Sequence, residues 1–313
     1  MTKFSVVIPI HNKLPHLERS INSVLNQTFS DFELILIDDA STDGSSNKIK
    51  EFNDPRISIY RRDSPGPGGY AARNLGISKA KGEWVAFLDA DDAWYPIHLQ
   101  KMHELSKKYP QINFMGCGWE TQNGDINESN YFYKLYNEKG FLSISLIDFL
   151  QNGLKKRLPV CTIVSCVKRS SPIVLELFPS NSRARRGGDL YAWLRLITFH
   201  KEMVWSNHIG AIYYVDSVNM VTKKSPFSIE NLSKSTFNKL AVGLNTEQLV
   251  LLKKYFNFRI KNDLKSSKIQ GSKMENVLKN IHFRGDLLNA LVIILLYVGP
   301  VRKLSNLKNK IKR

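Results

Sequence analysis

Cysteine is scarce in this sequence: three in 313 residues, Cys117, Cys161 and Cys166. So sparse and odd a set excludes a disulfide framework, and neither a paired cysteine spacing nor an HExxH-type histidine pair suggests zinc. The thiols read as buried groups in a reducing compartment. Long apolar runs are missing too. The opening MTKFSVVIPIHNK is interrupted by His11, Asn12 and Lys13 too soon for a secretory signal, so the expected address is cytoplasmic. The other apolar run, LLNALVIILLYVGPV over residues 287–301, has 15 residues with Asn289 inside it. A spanning helix needs about 20, so this run suits the membrane interface better. Acid is also in deficit, with 28 Asp or Glu against 45 Lys or Arg and a net charge of +17. The excess is concentrated late: Ser217 to Arg313 holds 19 Lys or Arg and 5 Asp or Glu. A basic tail calls for an acidic partner or is simply a solvated face. No recognisable nucleic-acid-binding module accompanies it, so the expected partner is an anionic membrane and not nucleic acid. Internal repeats and low-complexity segments are absent.

What is present is an apolar fraction of 42%, enough for a sizeable core. Phe4 to Ile10 (FSVVIPI) and Phe32 to Ile37 (FELILI) are nearly all apolar and predict strands buried on both faces. Ile57 to Tyr60, Trp84 to Leu88 and Ile112 to Met115 continue the series. Helical spacing over Leu14–Leu25, Gly68–Ala80 and Ile97–Lys108, with a short helix ending near Phe52, separates these five strands. Alternation of this kind predicts an α/β fold with a doubly wound, mostly parallel sheet. Further on, residues 121–133 read as a loop and Pro159–Lys168 as a strand. Residues 183–197 read as a basic glycine-bearing loop turning into a helix, and Tyr213–Val215 as a short strand. Helices over Thr246–Leu264 and Met274–Phe283 complete the chain.

Ligands of such sheets bind beyond the carboxyl ends of the strands. There the polar clusters gather: His11-Asn12, Asp38-Asp39, and the VAFLDADDAWYP stretch with Asp89, Asp91 and Asp92. Three adjacent carboxylates repel, so a cation must sit among them or protonation must relieve them. If the chain is still extended at Asp89 and Asp91, their side chains share a face about 6.5 Å apart. That suits a hard divalent cation, Mg²⁺ or Mn²⁺. Asp91 or Asp92 could instead cap the helix near Trp94-Tyr95-Pro96, and one of Asp38-Asp39 the helix after Ser41. A carboxylate at the second strand end could instead accept a hydrogen bond from a ribose or a base. In SPGPGGYAARN, residues 64–74, the glycines permit close backbone approach and Arg73 could meet phosphate.

The blocks FSVVIPIHNK, QTFSDFELILIDDASTDGS, AARNLGISKAKGEW and FLDADD, in that order, resemble the nucleotide-sugar half of family 2 inverting glycosyltransferases. These enzymes have the GT-A fold, and the resemblance is to the bacterial O-antigen and capsule type. It is close over residues 3–120 and looser to about 215, through TIVSCVKRS and GGDLYAWLRL. It implies that Pro9 and His11 line the base pocket, Asp39 accepts a uridine N–H and Arg73 helps hold the nucleotide. It also implies that Asp89 lies near ribose and metal, and that Asp91 binds the Mn²⁺ or Mg²⁺ bridging the diphosphate. The family's Glu-Asp pair reads Gly188-Asp189 here, so Asp189 is the implied catalytic base and the Glu contact is missing; Asp189 equally suits a helix N-cap. The implied reaction moves a hexose or N-acetylhexosamine from a UDP-sugar to a polyprenyl diphosphate-linked saccharide, with inversion to a β-linkage.

The corresponding organisation is a catalytic domain over residues 1–216, divided at 120/121 into nucleotide-sugar and acceptor halves. A helical basic extension follows over 217–313, with 284–313 contacting the inner face of the cell membrane. Two alternatives are a sugar-nucleotide nucleotidyltransferase and a basic nucleic-acid-binding protein. The first is expected to carry a glycine-rich basic loop after the first strand, where IHNKLPH has no glycine.

Overall fold

The computed structural model describes residues 2–220, 229–265 and 277–298. The apolar runs become the strands β1 (Phe4–Ile10) and β2 (Phe32–Asp39), joined through the helix α1 (Leu17–Leu25). After the short helix α2 (Ser45–Lys48) come β3 (Ile57–Arg62), α3 (Tyr70–Lys79) and β4 (Trp84–Phe87). These four strands pair in parallel, in the order β3-β2-β1-β4. Their side chains are almost wholly buried except in β3, the edge strand. Gly76 lets α3 lie close on β1, since a Cβ there would come closer than 3.0 Å to Val7.

The second half of the sheet is mixed. It is built from β5 (Ala93–Trp94), α4 (His98–Lys108), β6 (Phe114–Asn123), β7 (Ile126–Ser129), α5 (Tyr131–Tyr136) and β8 (Leu142–Ser145). Then follow α6 (Leu146–Leu154), β9 (Cys166–Lys168), α7 (Gly188–His200) and β10 (Glu202–Tyr214). The full order is β3-β2-β1-β4-β9-β6-β10-β5, with β7 on the edge of β6 and β8 on β10. The long pairs are parallel, and β5, β7, β8 and β9 run antiparallel to their partners.

Three expectations are corrected. Residues 121–133 form a hairpin between β6 and β7 followed by a helix, turning at Gly124 with φ +59°, a conformation glycine adopts freely. The strand expected over Pro159–Lys168 shrinks to β9, because the backbone first makes a 3-10 turn at Thr162–Val164. The short strand at Tyr213 is the end of the 13-residue β10.

Beyond residue 217, helices span Lys234–Leu240, Thr246–Lys265 and Leu287–Val298. Phe237, Leu252, Tyr255, Phe256 and Ile260 belong to the same buried core as the sheet. Gly153 of α6 lies so close to Tyr255 that a Cβ would collide with its ring. Of the helix expected over Met274–Phe283, the described part is helical only at residues 277–278; residues 274–276 and 299–313 lie outside the described residues. No helix among the described residues is long and apolar enough to cross a membrane.

Candidate active site

A cavity of about 760 Å³ opens beyond the carboxyl ends of β1, β2 and β4. Pro9, His11, Asp39, Arg73, Asp89, Asp91 and Asp189 all line it. The seven residues expected from sequence therefore share one space, although they come from five separate segments of the chain.

At the end of β2 the two neighbouring acids divide the tasks. Asp38 turns into the protein, accepting from the Ser41 N–H at 2.9 Å and the Ser46 hydroxyl at 2.5 Å. It is the turn-former, and Asp39 is the one that faces the cavity. Asp39 accepts from Arg62 and from the Gly66 N–H at 3.1 Å, while its backbone carbonyl meets His11 Nδ1 at 2.8 Å. Arg62 was not singled out, yet parallel β3 puts it directly opposite Asp39. A run of two arginines beside a run of two aspartates in adjacent strands was the signal available.

The segment after β4 is not extended. The Asp92 N–H bonds to the Asp89 carbonyl at 3.1 Å and closes a turn, so the shared strand face expected for Asp89 and Asp91 does not form. Neither Asp91 nor Asp92 caps α4, whose N-cap is Ile97 without a side-chain bond. The three like charges are relieved separately. Asp89 is paired with Arg73 at 2.5 Å, and Asp91 with Lys13 at 2.5 Å. Asp92 is fully buried; burial first, then the charges of Asp91 and Asp89, push its carboxyl well above the ordinary range. It holds the Tyr214 N–H at 2.9 Å and fixes the end of β10 to this turn.

Arg73, almost fully buried, forks between two acids. Its Nη2 bonds Asp89, while Nη1 bonds the Gly68 carbonyl at 3.0 Å and lies 3.5 Å from Asp189 Oδ1. Asp189 stands in the first turn of α7 and caps nothing: the N-cap is Gly187, with φ +86°. Its side chain keeps 40% of its accessible area, and that area faces the cavity. Burial and Asp89 push its carboxyl up to about 6, against the pull of Arg73 and a hydrogen bond from Thr162.

The missing glutamate has a steric cause. Any Cβ at Gly188 would come closer than 3.0 Å to the buried Tyr70 ring. The Tyr70 hydroxyl accepts from the Gly188 N–H at 2.9 Å and donates to the Arg185 carbonyl at 3.1 Å, tying α3 to the entrance of α7. The far wall is basic, with Arg183, Arg185 and Arg186 before α7 and Arg259 from the Thr246–Lys265 helix. Lys13, Tyr70 and these arginines complete the site. Only the RARRGG run was visible as a feature of the sequence.

Residues 5–164, half of the chain, match the family model Glycosyl transferase family 2. The chain belongs to this family. An uncharacterised glycosyltransferase of Rickettsia bellii (strain RML369-C) is 33% identical over 198 residues, 62% of this chain and 26% of that protein. WfgD of Escherichia coli, a UDP-Glc:alpha-D-GlcNAc-diphosphoundecaprenol beta-1,3-glucosyltransferase, is 35% identical over 121 residues, 39% of this chain and 47% of WfgD. The match thus spans from a quarter to under half of these relatives' lengths. Among solved structures, S. aureus TarS 1–349 in complex with UDP-GlcNAc superposes with a TM-score of 0.75 at 15% identity, covering 94% of this chain and 87% of that one. The mannosyltransferase PcManGT of Pyrobaculum calidifontis, in complex with GDP-Man and Mn²⁺, superposes at 0.54 with 16% identity over 95% of this chain and 86% of that one. These likenesses establish the GT-A fold for this family 2 chain.

Proposed function

We propose that this chain is an inverting glycosyltransferase of cell-surface polysaccharide synthesis. It moves a hexose or N-acetylhexosamine from a UDP-sugar to a saccharide carried on polyprenyl diphosphate, with a β-linkage as the product. The observation that carries the reading is a single cavity in which an acid with its carboxyl near pH 6, Asp189, faces the acidic rim of Asp39, Asp89 and Asp91.

The chemistry follows from these groups. Asp189, mostly ionised at pH 7, takes the proton of an acceptor hydroxyl as that oxygen attacks the anomeric carbon. The bond from that carbon to the diphosphate oxygen breaks, UDP leaves with the electron pair, and attack from the opposite side inverts the centre. Arg73 orients Asp89 and Asp189 together through its fork. His11 and Asp39 line the base pocket and Asp89 faces the ribose. Arg183, Arg185 and Arg186 supply charge for an acceptor that carries its own diphosphate, as the acceptor in WfgD's name does.

The residues fit a divalent cation of the Mg²⁺ or Mn²⁺ kind. Asp91 offers a hard oxygen at the cavity wall, and these ions bind through one or two carboxylates plus phosphate and water. Held by Asp91 with Asp89 beside it, the ion would stabilise charge on the leaving diphosphate.

The helix Leu287–Val298 supports an address at the inner membrane face. Ala290 and Ile293 are buried, while Leu287, Leu288, Leu291 and Leu295 are exposed along one side, Leu288 at 76%. The rest of the 284–313 segment, from residue 299, lies outside the described residues.

The test is a panel of nucleotide sugars with Mn²⁺ and a synthetic sugar-diphosphate-lipid acceptor, read by mass. A mass gain of one hexose or N-acetylhexosamine from a UDP donor is expected. Transfer from none of the UDP-sugars would overturn the reading.

A further inference from the structure

A second cluster of reactive side chains lies outside the cavity. His98 opens α4, Cys117 is in β6 and His208 is in β10. His98 Nδ1 lies 3.3 Å from His208 Nε2 and 3.7 Å from Cys117 Sγ. The potential ligand atoms of the three residues all fall within 4.8 Å of one another. A tetrahedral zinc ion with nitrogen at about 2.0–2.1 Å and sulfur at about 2.3 Å has edges of about 3.3–3.4 Å (N···N) and about 3.5–3.6 Å (N···S). Both measured edges agree with that tetrahedron to about 0.2 Å.

Three features of the surrounding backbone and side chains build this arrangement. First, β10 slips register against β6 here: Ser206 is opposite Cys117 but Ile209 is opposite Gly118. The residues between them bulge, and bulges re-aim side chains. Second, a Cβ at Gly210 would come closer than 3.0 Å to both His98 Nδ1 and Cys117 Sγ, so the approach requires glycine. Third, the two rings are held in place by neighbouring side chains. His208 Nδ1 lies 2.8 Å from the hydroxyl of fully buried Ser206, which leaves Nε2 for the cluster. The His98 ring is fully buried and is held by packing on Trp94, 4.6 Å between ring centroids, with Nδ1 turned to the cluster.

We propose that His98, Cys117 and His208 form a zinc-class transition-metal site, with water in the fourth position, that pins α4 to the β6–β10 pair. Two imidazoles and a thiolate select zinc over Mg²⁺ or Mn²⁺, so the site is chemically distinct from the oxygen-lined rim at Asp91. Binding deprotonates Cys117, and one proton leaves per ion bound.

The test titrates Co²⁺, as a spectroscopic stand-in for zinc, into the full chain purified without a histidine tag and stripped with chelator. The expected result is a thiolate-to-cobalt charge-transfer band saturating at one equivalent. It is unchanged in Asp91→Asn, lost in Cys117→Ser, and reached with about tenfold weaker affinity in Ser206→Ala. Zinc is expected to raise the thermal midpoint of wild type. If Cys117→Ser does not fold by circular dichroism, His208→Gln, at a half-buried position, provides the loss variant. A wild-type chain without the band would overturn the proposal and leave three side chains joined by a His–His hydrogen bond. So would a band that survives Cys117→Ser or, where that variant is unfolded, His208→Gln.

Discussion

Replacing Asp189 by asparagine separates catalysis from stability with opposite signs. The carboxyl is pushed up to about 6. About ten chains in eleven are therefore ionised at pH 7 and one in eleven at pH 5, so kcat/KM falls about tenfold between these values. The limb should approach unit slope below pH 6, and because kcat/KM reports the free enzyme, the nucleotide-free geometry is the relevant one. Linkage gives the stability sign. The folded chain holds this proton more tightly than the unfolded chain, so the ionised carboxylate destabilises the fold at pH 7. That penalty vanishes as the pH falls through about 6 towards 4. A shift of about two pH units has a ceiling near 3 kcal/mol. With 40% of the side chain accessible, about 1 kcal/mol is the reasonable expectation. Asp189→Asn is thus expected to abolish turnover, to unfold about 2–4 °C higher at pH 7, and to lose that advantage by pH 4. UDP release followed across pH, with thermal unfolding in the same buffers, measures both. An acid limb centred near 4, or a folded asparagine variant that turns over normally, would refute the assignment.

Restoring the family's glutamate, Gly188→Glu, should destabilise the chain by about 1–3 kcal/mol through the clash with Tyr70. Gly188→Glu combined with Tyr70→Ala should recover part of that loss in thermal unfolding. Asp92→Asn should stay within about 1 kcal/mol of wild type at pH 7, because burial already disfavours the charged carboxylate there and the amide oxygen still accepts from Tyr214; Asp92→Ala should cost about 1–3 kcal/mol. Equal losses from both in urea titration would mean that Asp92 is ionised. Replacing Leu288, Leu291 and Leu295 by serine should weaken co-sedimentation with anionic vesicles, and unchanged pelleting would remove the exposed stripe from the membrane reading.

The two halves of the chain were not equally legible. β1 and β2 are buried on both faces, so their sequences are largely apolar, broken only at Ser5, Glu33 and the closing aspartates, and the expected bounds match within two residues. β10 was read only at its end, because Ser206, Asn207 and His208 interrupt the apolar pattern at the register slip. Pro159–Lys168 is apolar enough for a strand. Its burial instead comes from the turn at Thr162–Val164, where the Ile163 carbonyl accepts from the Trp94 indole at 2.6 Å. The rim acids could be found because strand ends of a parallel sheet converge. Their individual tasks could not: Asp38 and Asp39 differ only in which way the strand points them. The His98–Cys117–His208 cluster leaves no trace in spacing, since its members come from three elements brought together by the sheet.

The three carboxylates after β4 raise a last point about the order of events. Each is already relieved within the chain, by Arg73, by Lys13 or, at Asp92, by burial that favours the neutral carboxyl. The rim is therefore electrically settled before any donor arrives, and a cation that binds Asp91 competes with the Lys13 ammonium for that carboxylate. That exchange does not waste the lysine, because Lys13 also lines the cavity, where its freed charge would meet the diphosphate of the proposed donor. Metal and nucleotide should then bind cooperatively, and Lys13→Met should break the pattern in one direction. Without nucleotide the variant should bind Mn²⁺ roughly threefold to tenfold more tightly, as Asp91 loses its competitor. With UDP present the advantage should shrink, as the lysine's contribution to the phosphates is lost. Calorimetric titration of Mn²⁺ with and without UDP measures both arms. Equal Mn²⁺ affinity in wild type and Lys13→Met without nucleotide would show that the 2.5 Å pair does not guard the rim.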